Sequence, residues 1–157
     1  MGIHVVLYQP ENPANTGNIA RTCAATNTPL HLIHPLGFST EDKYLKRAGL
    51  DYWEFVQIHN YDSLDVFFDQ NKSGKYYFIT KFGKDKHTDV ELSNTEEEIY
   101  FIFGKETTGL PKDLIAAYPE NCLRLPMTEK VRSLNLSNTA AIIVYEALRQ
   151  QNYPGLA

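Results

Sequence analysis

Apolar and polar residues alternate along the chain in two kinds of stretch. Short apolar runs bounded by turn residues occupy positions 3–8, 29–33, 55–58, 76–82, 99–103 and 122–125, the pattern of β-strands. Several are apolar at nearly every position, as in Tyr100-Phe101-Ile102-Phe103, which suits strands covered on both faces of a parallel sheet. Between them, positions 18–26, 41–48, 63–70, 112–117 and 136–151 read as helices. In the last of these, Ala140, Ile143, Val144, Ala147 and Leu148 recur at helical spacing with Glu146, Arg149 and Gln150 on other faces, so an amphipathic helix closes the chain. This alternation predicts an α/β fold, a mostly parallel sheet flanked by helices and joined by right-handed crossovers. Ligands of such folds favour the loops at the carboxyl ends of strands.

At 157 residues the chain is expected to form a single domain, residues 1–157, around one core. A composition of 43% hydrophobic and 22% charged residues is that of a globular rather than a disordered protein. No apolar run approaches the ~20 residues of a membrane span, and positions 1–10 lack the basic start and apolar stretch of a signal peptide. A cytoplasmic protein without a membrane partner is expected. Cys23 and Cys122 have no C-x-x-C spacing, so reduced, packed thiols are the default. A net charge of -4 argues against an indiscriminate polyanion binder but leaves room for a local basic face. Glu96-Glu97-Glu98 reads as a solvated approach to a strand.

Several familiar chemistries lack their motif. No G-x-G-x-x-G follows the first apolar run, and Gly104-x-x-x-x-Gly109 is followed by Leu110-Pro111 where a phosphate loop needs Lys-Ser/Thr. There is no H-E-x-x-H, and His31 and His34 on one strand would face opposite sides, so no protein-bound metal is expected. No G-x-S-x-G elbow supports an esterase.

Three loops concentrate polar and glycine residues instead. The first, Asn12-Pro13-Ala14-Asn15-Thr16-Gly17-Asn18-Ile19-Ala20-Arg21, follows the first strand; Asn15 or Asn18 is expected to cap the next helix, with Arg21 in its first turn. A cation at a helix start is locally unfavourable, so Arg21 calls for an anion or a function. The same residues also read as a βα turn with a surface arginine. The second, Phe103-Gly104-Lys105-Glu106-Thr107-Thr108-Gly109-Leu110-Pro111, offers backbone that can approach a ligand closely and a carboxylate at Glu106 that can accept from hydroxyls. It also reads as a left-handed turn at Gly109 before a helix opened by Pro111. In the third, residues 125–141, Ser133, Asn135, Ser137 and Asn138 crowd the start of the last helix. A cap uses one or two such residues, not four.

Together, N-T-G-N-I-A-R, I-F-G-K-E-T-T-G-L and R-S-L-N-L-S-N-T-A-A resemble the three signature motifs of the SPOUT methyltransferases. The likeness extends to Leu36-Gly37-Phe38, to Arg47-Ala48-Gly49-Leu50-Asp51-Tyr52 and to the ending from Tyr145 to Gly155. It looks like the minimal TrmL (YibK) branch, which methylates the ribose 2′-hydroxyl of the tRNA wobble nucleotide. The resemblance implies a C-terminal deep trefoil knot, an exception to unthreaded chains, and S-adenosylmethionine as cofactor. It places the cofactor against Ile79, Thr80, Gly104, Glu106, Gly109, Leu125, Met127, Ser133, Leu134 and Asn135. It also implies a homodimer whose active site is completed near the subunit interface.

By the same resemblance Arg21 lies beside the reacting hydroxyl, with Asn15, Asn135 and Ser137 holding the ribose or Arg21 and Glu106 orienting Arg21. A guanidinium keeps its proton to about pH 12, so orientation and stabilisation of alkoxide charge suit it better than general base catalysis. No appended RNA-binding domain is present in the sequence, so Lys43, Lys46, Arg47, Lys81 and Arg132, with Lys84 and Lys86 nearby, are candidates to position phosphates of the anticodon stem-loop. Relatives imply leucine tRNAs with cytidine or uridine at the wobble position. The alternatives are a 2′-O-methyltransferase for another tRNA or rRNA site, a non-catalytic RNA-binding module of the same fold, and a flavodoxin-like ligand-binding domain.

Overall fold

A computed structural model describes residues 2–157, without the side chains of residues 49–51. Gly49, Leu50 and Asp51 of the quoted Arg47-to-Tyr52 stretch therefore lie outside the described side chains. Among the described residues seven strands form one sheet: β1 Gly2–Tyr8, β2 Leu30–Ile33, β3 Ile58–Tyr61, β4 Lys75–Ile79, β5 Asp85–Lys86, β6 Glu98–Phe103 and β7 Cys122–Arg124. Their spatial order is β3-β2-β1-β6-β4-β7-β5 and every pairing is parallel. The helices are α1 Pro13–Thr26, α2 Lys43–Leu45, which runs through a π-turn at Lys46–Leu50 into α3 Asp51–Trp53, then α4 Leu64–Gln70, α5 Lys112–Ala117 and α6 Leu136–Gln150.

The apolar runs are continuous because both faces of the sheet are covered. Alternate residues go to opposite cores. Val5, Leu7, Phe101 and Phe103 pack with Ile19 and Cys23 of α1 and Ile143, Val144 and Leu148 of α6. Val6 and Ile102 pack on the other side with Phe67 of α4, Phe78 and Leu110. Both cysteines are buried and unpaired, and burial pushes the Cys23 thiol up to about 12, so neither is a reactive thiolate.

A polar chain threads the second core. Tyr61, from β3, bonds His31 Nδ1 at 2.8 Å, His31 Nε2 bonds His4 Nδ1 at 2.9 Å, and His4 Nε2 meets Glu98 Oε2 at 2.9 Å. With one proton per ring the chain satisfies itself in one direction: the Tyr61 hydroxyl donates to His31, His31 to His4, and His4 to the carboxylate. The carboxylate favours a charged His4, but burial outweighs it and pushes His4 down to about 4 and His31 to about 3.

Four boundaries differ from the sequence pattern. α1 starts five residues before position 18, because Asn12, not Asn15 or Asn18, is the cap and accepts from the Asn15 amide at 3.0 Å, with Pro13 preset for the first helical position. Arg21 thus lies beyond the second turn, not in the first, and the repulsion expected there does not arise. The run at 55–58 is displaced to β3: Phe55 and Val56 amides turn back onto Tyr52 and Trp53 carbonyls, and polar His59 and Asn60 hid the strand. β4 stops at Ile79 because Thr80 opens a turn that the Gly83 amide closes at 3.1 Å. Positions 41–48 form not one α-helix but α2 and part of the π-turn, so Lys43, Lys46 and Arg47 do not share one regular helical face.

Candidate cofactor and RNA site

Sheet order brings separate stretches of sequence to one edge. β4 lies between β6 and β7, with Ile79 paired to Phe103 on one side and Leu123 on the other. Ile79 and Thr80 therefore sit at the central strand end, with Gly104 following one neighbour and Leu125 the other. The Thr80 amide donates to the Leu123 carbonyl at 3.0 Å, fixing the central turn against β7.

The loop after β6 is closed on itself. Lys105 and Gly109 exchange amide-to-carbonyl bonds of 3.2 and 3.0 Å, and a Cβ on Gly104 would lie 2.3 Å from the Gly109 carbonyl carbon. Gly109 itself has φ of +73°, the left-handed turn expected before Pro111. From this loop Glu106 Oε2 accepts the Glu11 amide at 2.9 Å. Glu11 Oε1 in return accepts the Thr107 amide at 3.2 Å and its hydroxyl at 2.7 Å. These bonds hold the Glu11 carboxyl below the usual carboxylate range. Glu106 Oε1 is buried and has no hydrogen-bond partner among the described residues, and a buried carboxylate oxygen of that kind wants a donor.

The third loop presents apolar side chains instead of burying them. Met127, Val131 and Leu134 are 39, 54 and 41% exposed. At its end Asn135 caps α6: its side-chain oxygen accepts from the Ser137 amide at 2.9 Å and from the Ser137 hydroxyl, while its carbonyl accepts from Thr139. Capping thus accounts for Asn135 and Ser137, whereas the side chains of Ser133 and Asn138 are exposed and make no hydrogen bond among the described residues.

Arg21 is not bonded to these loops among the described residues. It is exposed on α1, its guanidinium carbon 5.0 Å from the Tyr52 ring centre, in a cleft lined by Ala24, Ala25, Tyr52 and Phe55. Among the described residues it makes no ion pair, and no bond joins it to Glu106, Asn135 or Ser137; Glu106 turns to Glu11 instead. Asn15 is buried in the first turn of α1. Of the candidate phosphate contacts, Lys46 pairs with Glu41 at 3.0 Å, Lys43 and Arg47 flank the Tyr44 ring at 5.1 and 6.0 Å, Lys81 lies 5.2 Å from the Phe82 ring, and Arg132 is exposed. Sequence patterning overlooked Glu11 and gave Tyr52 no role of its own. Glu11 gains its role only because β6 lies beside β1, an adjacency that chain order conceals.

Residues 2–145 match the SpoU rRNA Methylase family. The chain belongs to the SpoU rRNA methylase family. This SpoU chain is 71% identical to a protein of Geobacillus stearothermophilus over 100% of both. It is 43% identical to the tRNA (cytidine(34)-2'-O)-methyltransferase of Escherichia coli, covering 98% of this chain and 96% of that one. A solved structure concerned with 2-OH methylation of C/U34 on tRNA superposes on the SpoU chain with a TM-score of 0.88 at 42% identity, covering 96% of each. The α/β fold with a parallel seven-stranded sheet is therefore that of its SpoU relatives.

Proposed function

We propose that this protein transfers a methyl group from S-adenosylmethionine to the ribose 2′-hydroxyl of the wobble nucleotide of tRNA, cytidine or uridine 34, as the names of its relatives say of them. Leucine isoacceptors are the proposed substrates. The observation that carries this reading is the buried, unpartnered Oε1 of Glu106 at a strand edge shared with Thr80 and Leu125.

The residues present fit the cofactor. Glu106 Oε1 can accept from a ribose hydroxyl, Gly104 lets the loop close on itself while Gly109 leaves open space beside its backbone, and Leu125, Met127 and Leu134 offer apolar cover to a flat base. Ile79, Thr80, Ser133 and Asn135 complete the proposed contacts. The cofactor supplies a methyl group on a sulfonium that is its own leaving group. Arg21, which keeps its proton, orients the 2′-hydroxyl in line and stabilises the negative charge that develops on its oxygen; as the carbon–sulfur bond breaks and the new carbon–oxygen bond forms, the thioether leaves and the hydroxyl proton passes to solvent water. Asn135 and Ser137 hold their loop through the α6 cap, and Asn15, buried in the first turn of the helix that carries Arg21 and capped there by Asn12, is proposed to help hold the ribose or Arg21.

Because Arg21 is exposed and makes no bond to these loops within one chain, the proposed enzyme is a homodimer in which Arg21 serves a site completed at the interface. Phe55 beside it is 70% exposed, and α6 leaves Ile142 and Tyr145 40 and 44% exposed, apolar surface suited to a second copy. Residues 1–157 are proposed to act as one domain, with the segment from β7 through α6 forming the trefoil knot. Lys43, Lys46, Arg47, Lys81 and Arg132 are proposed to hold the anticodon stem-loop across both protomers. No helix among the described residues is long and apolar enough to cross a membrane, and a cytoplasmic site of action fits a tRNA substrate.

Incubation with tRNA and methyl-labelled cofactor is expected to label the RNA. Arg21→Ala should lower turnover about 10²–10³-fold while cofactor affinity stays within about twofold. Normal turnover in that variant would remove Arg21 from the mechanism, and RNA binding without label would favour a non-catalytic module.

A further inference from the structure

We propose that Phe82 is a stacking platform for an unpaired nucleobase of the RNA substrate, beside the cofactor loops; the assignment rests on the methyltransferase reading. Phe82 is 69% exposed, and a phenyl ring left in water contributes little to the fold that carries it. Its exposure is not that of a loose loop. The Phe82 amide donates to Thr80 Oγ1 at 3.2 Å, the Gly83 amide to the Thr80 carbonyl at 3.1 Å, and Arg124 donates to the Gly83 and Lys84 carbonyls at 3.2 and 2.9 Å. A Cβ on Gly83 would lie 2.4 Å from the Leu123 carbonyl carbon, so this turn is seated hard against β7. The ring is thus held out on a pinned turn two residues beyond Thr80, at the strand end assigned to the cofactor.

Its surroundings choose the occupant. Residues 80–88 carry Lys81, Lys84 and Lys86 against Asp85, a net +2 on a chain of net charge -4. Lys81 Nζ lies over the ring, 5.2 Å from its centre, and has no ion pair among the described residues; Lys84 pairs with Glu120 at 3.2 Å. An exposed aromatic ring with an unpaired cation beside it matches a base with its phosphate, the combination used for single-stranded nucleic acid. A second copy of this chain would call for apolar neighbours around the ring, whereas the residues shown against Phe82 are Lys81 and Thr80.

The test is binding of an anticodon stem-loop RNA by the cofactor-loaded protein across a range of salt concentrations. Phe82→Ala should weaken binding roughly tenfold with an unchanged salt slope, Phe82→Trp should restore it and Phe82→Leu should not. Lys81→Ala should flatten the slope by about one. Cofactor affinity and dimerisation should be unaltered in the Phe82 variants. RNA binding by Phe82→Ala equal to wild type, rescue by Leu as complete as by Trp, or a change in oligomeric state would each overturn the assignment. Failure of the unaltered protein to bind the RNA at any salt concentration would overturn the methyltransferase reading and this one with it.

Discussion

Glu106 and Glu11 clasp each other's loops: Glu106 Oε2 accepts the Glu11 amide, and Glu11 Oε1 accepts the amide and hydroxyl of Thr107, the residue next to Glu106. The clasp fixes one oxygen of Glu106 and thereby aims the other, Oε1, which is buried without a partner. Preorganisation of this kind appears in affinity rather than in stability. Glu11→Ala should therefore raise the dissociation constant for S-adenosylmethionine about tenfold, read by titration calorimetry, with Glu11→Gln intermediate because it keeps an acceptor oxygen. Unchanged affinity in Glu11→Ala would separate the clasp from the cofactor site.

The two glycines of the same loop should behave differently. A methyl group on Gly104 meets the Gly109 backbone at 2.3 Å, whereas Gly109 has nothing within 4 Å and only its φ of +73° to strain. Gly109→Ala is expected to cost about 1–2 kcal/mol of stability. Gly104→Ala should cost more and abolish cofactor binding, since the Lys105 to Gly109 closure cannot form around it. Denaturant titration of both variants checks the order.

Much of the fold was legible from residue pattern, for a physical reason. Strands buried on both faces, such as β6 with Phe101, Ile102 and Phe103, carry uninterrupted apolar runs, and α6 carries a clean apolar stripe. The edge strand β3 was misplaced because its middle residues are polar, His59 stacking on His31 and Asn60 exposed on the other face, and β5 is two residues long with no run to see. The motif loops were visible as clusters of Asn, Gly and Glu. The clasp through Glu11 and the pinning of the Phe82 turn by Arg124 depend on which strands lie side by side, and the stacking of Arg21 on Tyr52 depends on the packing of α1 against α3. That order, with β6 inserted between β1 and β4, is a property of packing and not of local pattern.

Acid should unfold this protein earlier than its surface carboxylates alone would require. His4 and His31 are held down to about 4 and about 3, against 6.5 for a free ring, mainly by burial. The unfolded chain takes up protons from pH 6.5 downward while the folded one does not, so stability is complete above that pH and falls as pH drops toward 4. Each histidine contributes about 1.4 kcal/mol per pH unit in that window. Denaturant titrations between pH 8 and pH 4 should show this slope, and His31→Asn should flatten it even though it destabilises the protein at pH 8. A wild-type slope no steeper than the variant's would mean that the buried chain is charged.

The cap of α6 gives a separate expectation for Asn135. Removing its side chain leaves the Ser137 amide without an acceptor, so Asn135→Ala should cost about 1 kcal/mol of stability. Asn135→Asp, which keeps the capping oxygen, should recover the stability, and thermal unfolding distinguishes the two.

Position-resolved nucleoside mass spectrometry of tRNA incubated with the protein and S-adenosylmethionine tests the central claim most directly. The expected product is a single added methyl on the ribose of cytidine or uridine at the wobble position, lost when Arg21 is replaced by alanine. A methyl found on a base, or tRNA returned unmodified by protein saturated with cofactor, would contradict it.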